Sequence, residues 1–144
     1  MTDEAFETVH TVTHYFDQPL EGVANYRGQP HLYKRRFDDM ADDYSDIFDL
    51  QPLDDETFGL VMRQWGMWKK WKAEFDAGQR LPETHPNYRG QNPEYDRLAD
   101  AIESHLARMV NQAIAVKGAF RVAARRLERS NDIPRDFEAK WTDL

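Results

Sequence analysis

The chain has 144 residues, with 19 Lys and Arg against 26 Asp and Glu for a net charge of −7, and 40% of it is hydrophobic. That is enough apolar material for one domain without metal or disulfide staples, and the absence of cysteine excludes disulfides, thiolate nucleophiles and Cys-ligated metal centres. The acidic balance argues against a nucleic-acid partner, and no apolar run of about 18 residues offers a membrane span.

The opening MTDEAFETVHTV is acidic and lacks the basic start and apolar core of a signal peptide, so a cytoplasmic protein is expected. Residues 9–16, VHTVTHYF, are rich in Val, Thr and aromatics and read as a strand. His10 and His14 would then lie about 13 Å apart, too far to share a metal ion, and no metal site is expected. EGVANYRGQPHLYKRRF reads as a hairpin about Gly28 in a type II′ turn, which would set Tyr26 opposite His31 and Ala24 opposite Tyr33. After the acidic loop FDDMADD, YSDIFDLQPL is a fourth strand with Tyr44, Asp46, Phe48 and Leu50 on one face. The acidic series lacks the spacing and the closing Glu of a calcium loop, so a solvated turn is expected.

The pattern then becomes helical. Asp54 or Asp55 can cap a helix over 55–77, with Phe58, Val61, Met62, Trp65, Trp68 and Phe75 on three- and four-residue steps and Gly78 as terminator. A loop, QRLPETHPNYRGQN, separates it from a second helix opened by Pro93. Apolar steps of three or four carry that helix to about residue 129, and Lys117, Arg121, Arg125 and Arg129 recur every four residues like a helical face. Ile114, Val116, Phe120 and Val122 also alternate about Gly118, which keeps a strand reading of 112–122 open. An unbroken helix of about 36 residues would be about 54 Å long, more than a small domain covers, so a bend or break near Gly118 is expected. FEAKW fits a short final strand. The expected fold is one α+β domain over 1–144: an N-terminal antiparallel four-stranded meander packed against two long helices, with a short C-terminal strand.

The motifs Y-x-G-Q-P-H (Tyr26 to His31) and W-G-x-W-x-x-W (Trp65 to Trp71) resemble those of a family of small bacterial proteins with no assigned activity. The likeness spans residues 9–86 and implies a short sheet followed by helices; it implies no catalytic or binding residue.

Two kinds of function fit these residues. Tyr26, His31, Tyr33 and Arg35 share one hairpin face, and Asp46 joins it if the fourth strand pairs alongside; a phenol, an imidazole, a guanidinium and a carboxylate together could bind an anionic ligand or move a proton. Against this, sheets often satisfy such groups locally, no Ser stands beside an evident base, and no glycine loop is shaped for phosphate. The preferred expectation is therefore a non-catalytic domain that binds a protein partner and needs no cofactor. Trp71 among Lys69, Lys70 and Lys72, and the basic series Lys117, Arg121, Arg125 and Arg129, are the candidate interaction surface.

Overall fold

The computed structural model describes residues 6–123 and 136–144. Six strands, β1 (Phe6–Tyr15), β2 (Pro19–Tyr26), β3 (Gln29–Asp38), β4 (Asp43–Pro52), β5 (Ile114–Val122) and β6 (Phe137–Thr142), pair antiparallel in chain order. The sheet closes on itself where Phe6, Glu7 and Thr8 of β1 meet Lys140, Ala139 and Glu138 of β6. Between β4 and β5 the chain forms α1 (Asp55–Asp76) and α2 (Pro93–Ala107). The residues gather into two compact units, the barrel up to Leu53 and from Asn111, and a helical unit over Asp54–Val110.

This corrects the expected architecture of an open four-stranded meander packed on two long helices. β1 to β4 do pair consecutively, but β4 is not an edge: Ile47 to Leu50 pair with Lys117 to Ile114 of β5. The second helix ends at Ala107, and the segment expected to continue it to residue 129 is strand from Ile114 to Val122. No helical break occurs at Gly118. That glycine sits in β5 because a Cβ there would lie 2.9 Å from the Phe48 ring and collide with the Trp141 ring. Residues 124–135, including Arg125 and Arg129, lie outside the described residues.

The β2–β3 turn has the expected two residues but sits one position earlier than expected. Arg27 and Gly28 both have positive φ, 54° and 78°, which makes a two-residue type I′ turn and pairs Tyr26 with Gln29 and Ala24 with His31. The Glu7 carboxylate accepts both turn amides, Arg27 N at 2.9 Å and Gly28 N at 2.8 Å.

Closure gives every strand one inward face, as in other small barrels whose interior is filled by side chains. Val9, Val12, Ala24, Tyr33, Phe48, Leu50, Val116, Phe137 and Ala139 form the core, with Phe120 and Trp141 packed against it. Each fully buried apolar side chain contributes about 1.5–3 kcal/mol. In the helical unit the Asp54 side chain caps α1 at Thr57 N and Asn92 caps α2 at Tyr95 N. Trp65 of α1 and Tyr95, Leu98 and Ile102 of α2 are buried. Among the described residues no helix is long and apolar enough to cross a membrane.

Candidate functional site

The two-residue period of β3 turns His31, Tyr33 and Arg35 toward the barrel interior, and Phe37, next on that face, is exposed at the rim. Tyr33 is fully buried, and its hydroxyl donates to the Thr11 carbonyl at 3.0 Å. Aromatic rings fill the space around it: Tyr33 and Phe120 have centroids 5.1 Å apart, Phe48 and Phe120 5.4 Å, and Phe48 and Trp141 5.3 Å. Trp141 Nε1 donates to the Asn25 carbonyl at 2.8 Å, so the polar edge of that indole is satisfied as well.

Arg35 lies next along the same face, toward the end of the barrel where hairpin loops join β1 to β2 and β3 to β4. It is only 7% exposed. Its guanidinium carbon lies 4.4 Å from the Phe48 centroid and 5.9 Å from that of Phe120. Nε donates to the Pro19 carbonyl at 3.0 Å and Nη1 to the Ser45 carbonyl at 2.9 Å. Those bonds use two of its five N–H groups, and the rest are on the terminal nitrogens. Every fully buried side-chain nitrogen or oxygen among the described residues has a partner, so Nη2, which makes no hydrogen bond to a described residue, is not fully buried.

No carboxylate among the described residues forms an ion pair with Arg35. Asp46, expected beside it, is displaced by a register shift between β3 and β4: Arg35 pairs with Phe48 but Phe37 with Tyr44, leaving three β4 residues opposite one. Asp46 is exposed, with its Oδ2 3.9 Å from Lys117 Nζ. Burial pulls the Arg35 guanidinium below its usual pKa, with the more distant Asp46 and Tyr33 opposing it. Holding a cation in such a place without a directly paired carboxylate is costly.

The five residues expected to form one site do not converge. Tyr26 and His31 touch edge to face at 5.3 Å, but they flank the β2–β3 turn, and four residues of extended chain separate His31 from Arg35 by about 13 Å. His31 Nδ1 is 2.9 Å from the Gln29 carbonyl and serves as its donor. Of the expected interaction surface, Trp71 donates to Thr84 Oγ1 at 2.9 Å, stacks on Phe75 and lies 4.6 Å from the His85 ring. Lys117 faces Asp46, and Arg121 is bound to Glu138 with its guanidinium over the Phe6 ring. Phe48 and Phe120, the rings flanking Arg35, were absent from the expected site; the alternation of β5 was the signal for Phe120.

The helical unit has two polar clusters of its own. A pocket of about 200 Å³ is lined by Asp54, Glu56, His105, Arg108 and Met109. The Asp54 carboxylate is held below its usual pKa chiefly by hydrogen bonds from Thr57. The Thr57 hydroxyl is fully buried and 2.9 Å from His105 Nδ1, which leaves it no access to a substrate. In the second cluster, Trp68 Nε1 lies 3.2 Å from His85 Nε2 and the Asn87 amide nitrogen 3.0 Å from Nδ1, of which the neutral imidazole accepts only one, and burial lowers its pKa. Among the described residues no group of three His, Asp or Glu is placed to hold a metal.

No family model, curated protein or solved structure matches the chain.

Proposed function

We propose that this protein is a non-catalytic binding module whose barrel takes an anionic group against Arg35. One observation carries the reading: a guanidinium only 7% exposed has two carbonyl partners, an aromatic face and, among the described residues, no ion-paired carboxylate, while its second terminal nitrogen is not fully buried. A ligand that supplies the missing negative charge would relieve the cost of burying the cation, and the mouth of a barrel is a common place for such a ligand. The reading has no catalytic step. Tyr33, on the same face of β3 as Arg35, and Thr57, beside His105, are buried and already hydrogen-bonded.

The test is calorimetric titration of the protein with propionate beside its Arg35→Met variant, each first shown to be folded by near-ultraviolet circular dichroism. Saturable binding to the wild type and none to the variant is expected. Equal binding by both would overturn the proposal.

A protein partner is the second reading, supported by apolar side chains on the loops at the same end: Phe16 is 66% exposed and Met40 97%. Isolated exposed apolar residues are common, but two on adjacent loops suit a contact surface. Phe16→Ser with Met40→Ser would weaken a protein contact there and leave propionate binding intact. An aqueous, cytoplasmic setting belongs to the proposal. It is supported by the charged residues Lys34, Arg36 and Asp49 along β3 and β4, which suit water better than lipid. Kinship with the small bacterial family that has the W-G-x-W-x-x-W helix is likewise proposed; it adds no activity.

A further inference from the structure

We infer that the group bound at Arg35 is the head of a monocarboxylate with a short unbranched apolar tail, and that the tail lies along the barrel rim. This inference rests on the proposed role of Arg35 and adds the class of ligand.

Charge selects the head. Arg35 is the one Lys or Arg that faces inward among the described residues of the strands. At the same end β3 closes on Asp38, β4 opens on Asp43, and the loop between them carries Asp39 and Asp42, all four exposed. One buried cation can neutralise one negative charge, and an acidic β3–β4 connection at the same end disfavours a second. A monoanion is therefore favoured over a phosphate dianion. Donor geometry agrees, because Nε and one Nη1 hydrogen are already used and the remaining hydrogens on Nη1 and Nη2 suit the two oxygens of a carboxylate.

Packing directs the tail. Tyr33, Phe48, Phe120 and Trp141 occupy the interior beyond Arg35, so the ligand body has no room to go deeper. Toward the rim, the inward face of β3 continues to Phe37, 47% exposed, and that of β5 continues to Val122, 43% exposed. Phe37 is about 7 Å along β3 from Arg35, which is within reach of a few methylenes. A tail laid there would cover apolar surface that now faces water, and each covered methylene should tighten binding about fourfold.

The experiment is calorimetric titration of the full chain with propionate, butanoate, pentanoate, hexanoate and inorganic phosphate. Affinity is expected to climb about fourfold per methylene from propionate to hexanoate, with no saturable phosphate binding. Phe37→Ser should flatten that climb and leave propionate affinity within about twofold; Val122→Ser is a second rim variant should the first be unstable. If propionate binds through Arg35 but chain length has no effect, or if phosphate binds more tightly than hexanoate, the ligand class is wrong and the anion site stands. If none of the carboxylates binds, or if their binding survives Arg35→Met, both fail.

Discussion

At the scale of single residues, the barrel depends on one contact that only glycine permits. A Cβ at Gly22 would collide with the Thr11 carbonyl oxygen and lie 2.7 Å from the Tyr33 hydroxyl. That hydroxyl is itself bonded to the same carbonyl, so β1, β2 and β3 meet at a point with no spare volume. Tyr33→Phe should cost about 1–3 kcal/mol in chemical denaturation, because it removes a partner from a buried carbonyl and leaves the ring in place. Gly22→Ala should cost more, about 3 kcal/mol or above, and adding Tyr33→Phe should not restore it, since the obstacle is Thr11 backbone. Recovery in the double variant would show that the hydroxyl, not the backbone, sets the limit. His85 supplies a pH test. Burial lowers its folded pKa, so the unfolded chain takes up the proton first; its contribution is complete above about pH 6.5 and declines as pH falls from there toward the folded value. His85→Gln should reduce the stability difference between pH 7.5 and pH 5; an unchanged difference would place the acid sensitivity elsewhere.

At the scale of elements, capping and periodicity made much of the chain legible. Of the two expected caps, Asp54 rather than Asp55 caps α1, and Pro93 opens α2 as expected, with Asn92 found to be its cap. Asn92→Ala should lower stability by about 1 kcal/mol in denaturant unfolding, through the lost bond to Tyr95 N. β5 was misread for a physical reason. Lys117 and Arg121 are four residues apart, and a spacing of four is one helical turn but also two full periods of a strand, so it cannot tell the two apart. The β-branched Ile114, Val116 and Val122 were the better signal. At the site, the inward direction of Tyr33 and Arg35 could be read from alternation, whereas the loss of Asp46 could not. The register shift that displaces it comes from the pairing of β3 with β4, where Ser45 Oγ bonds the Arg36 carbonyl and the Ile47 amide bonds Ser45 Oγ.

At the scale of the whole molecule, closure depends on pairing strands from opposite ends of the chain, and no local pattern announces that β1 will meet β6. The helical unit enters this barrel through an antiparallel neighbour pair: Leu50 of β4 lies opposite Ile114 of β5, so the chain leaves and returns at adjacent points. A hairpin needs only two to five residues to join such strands. Replacing Asp54–Val110 with four residues of Gly and Asn should therefore leave a barrel that folds by itself. The replacement also removes Trp65, Trp68 and Trp71, so that Trp141 is the one tryptophan of the four remaining. Its ring is packed against Tyr33, Phe48 and Phe120 in the closed barrel, so blue-shifted emission is expected, moving to the red in a single step with denaturant. Red emission before denaturant is added would mean that the six strands do not close without the helices, and that the barrel cannot be treated as an independent folding unit.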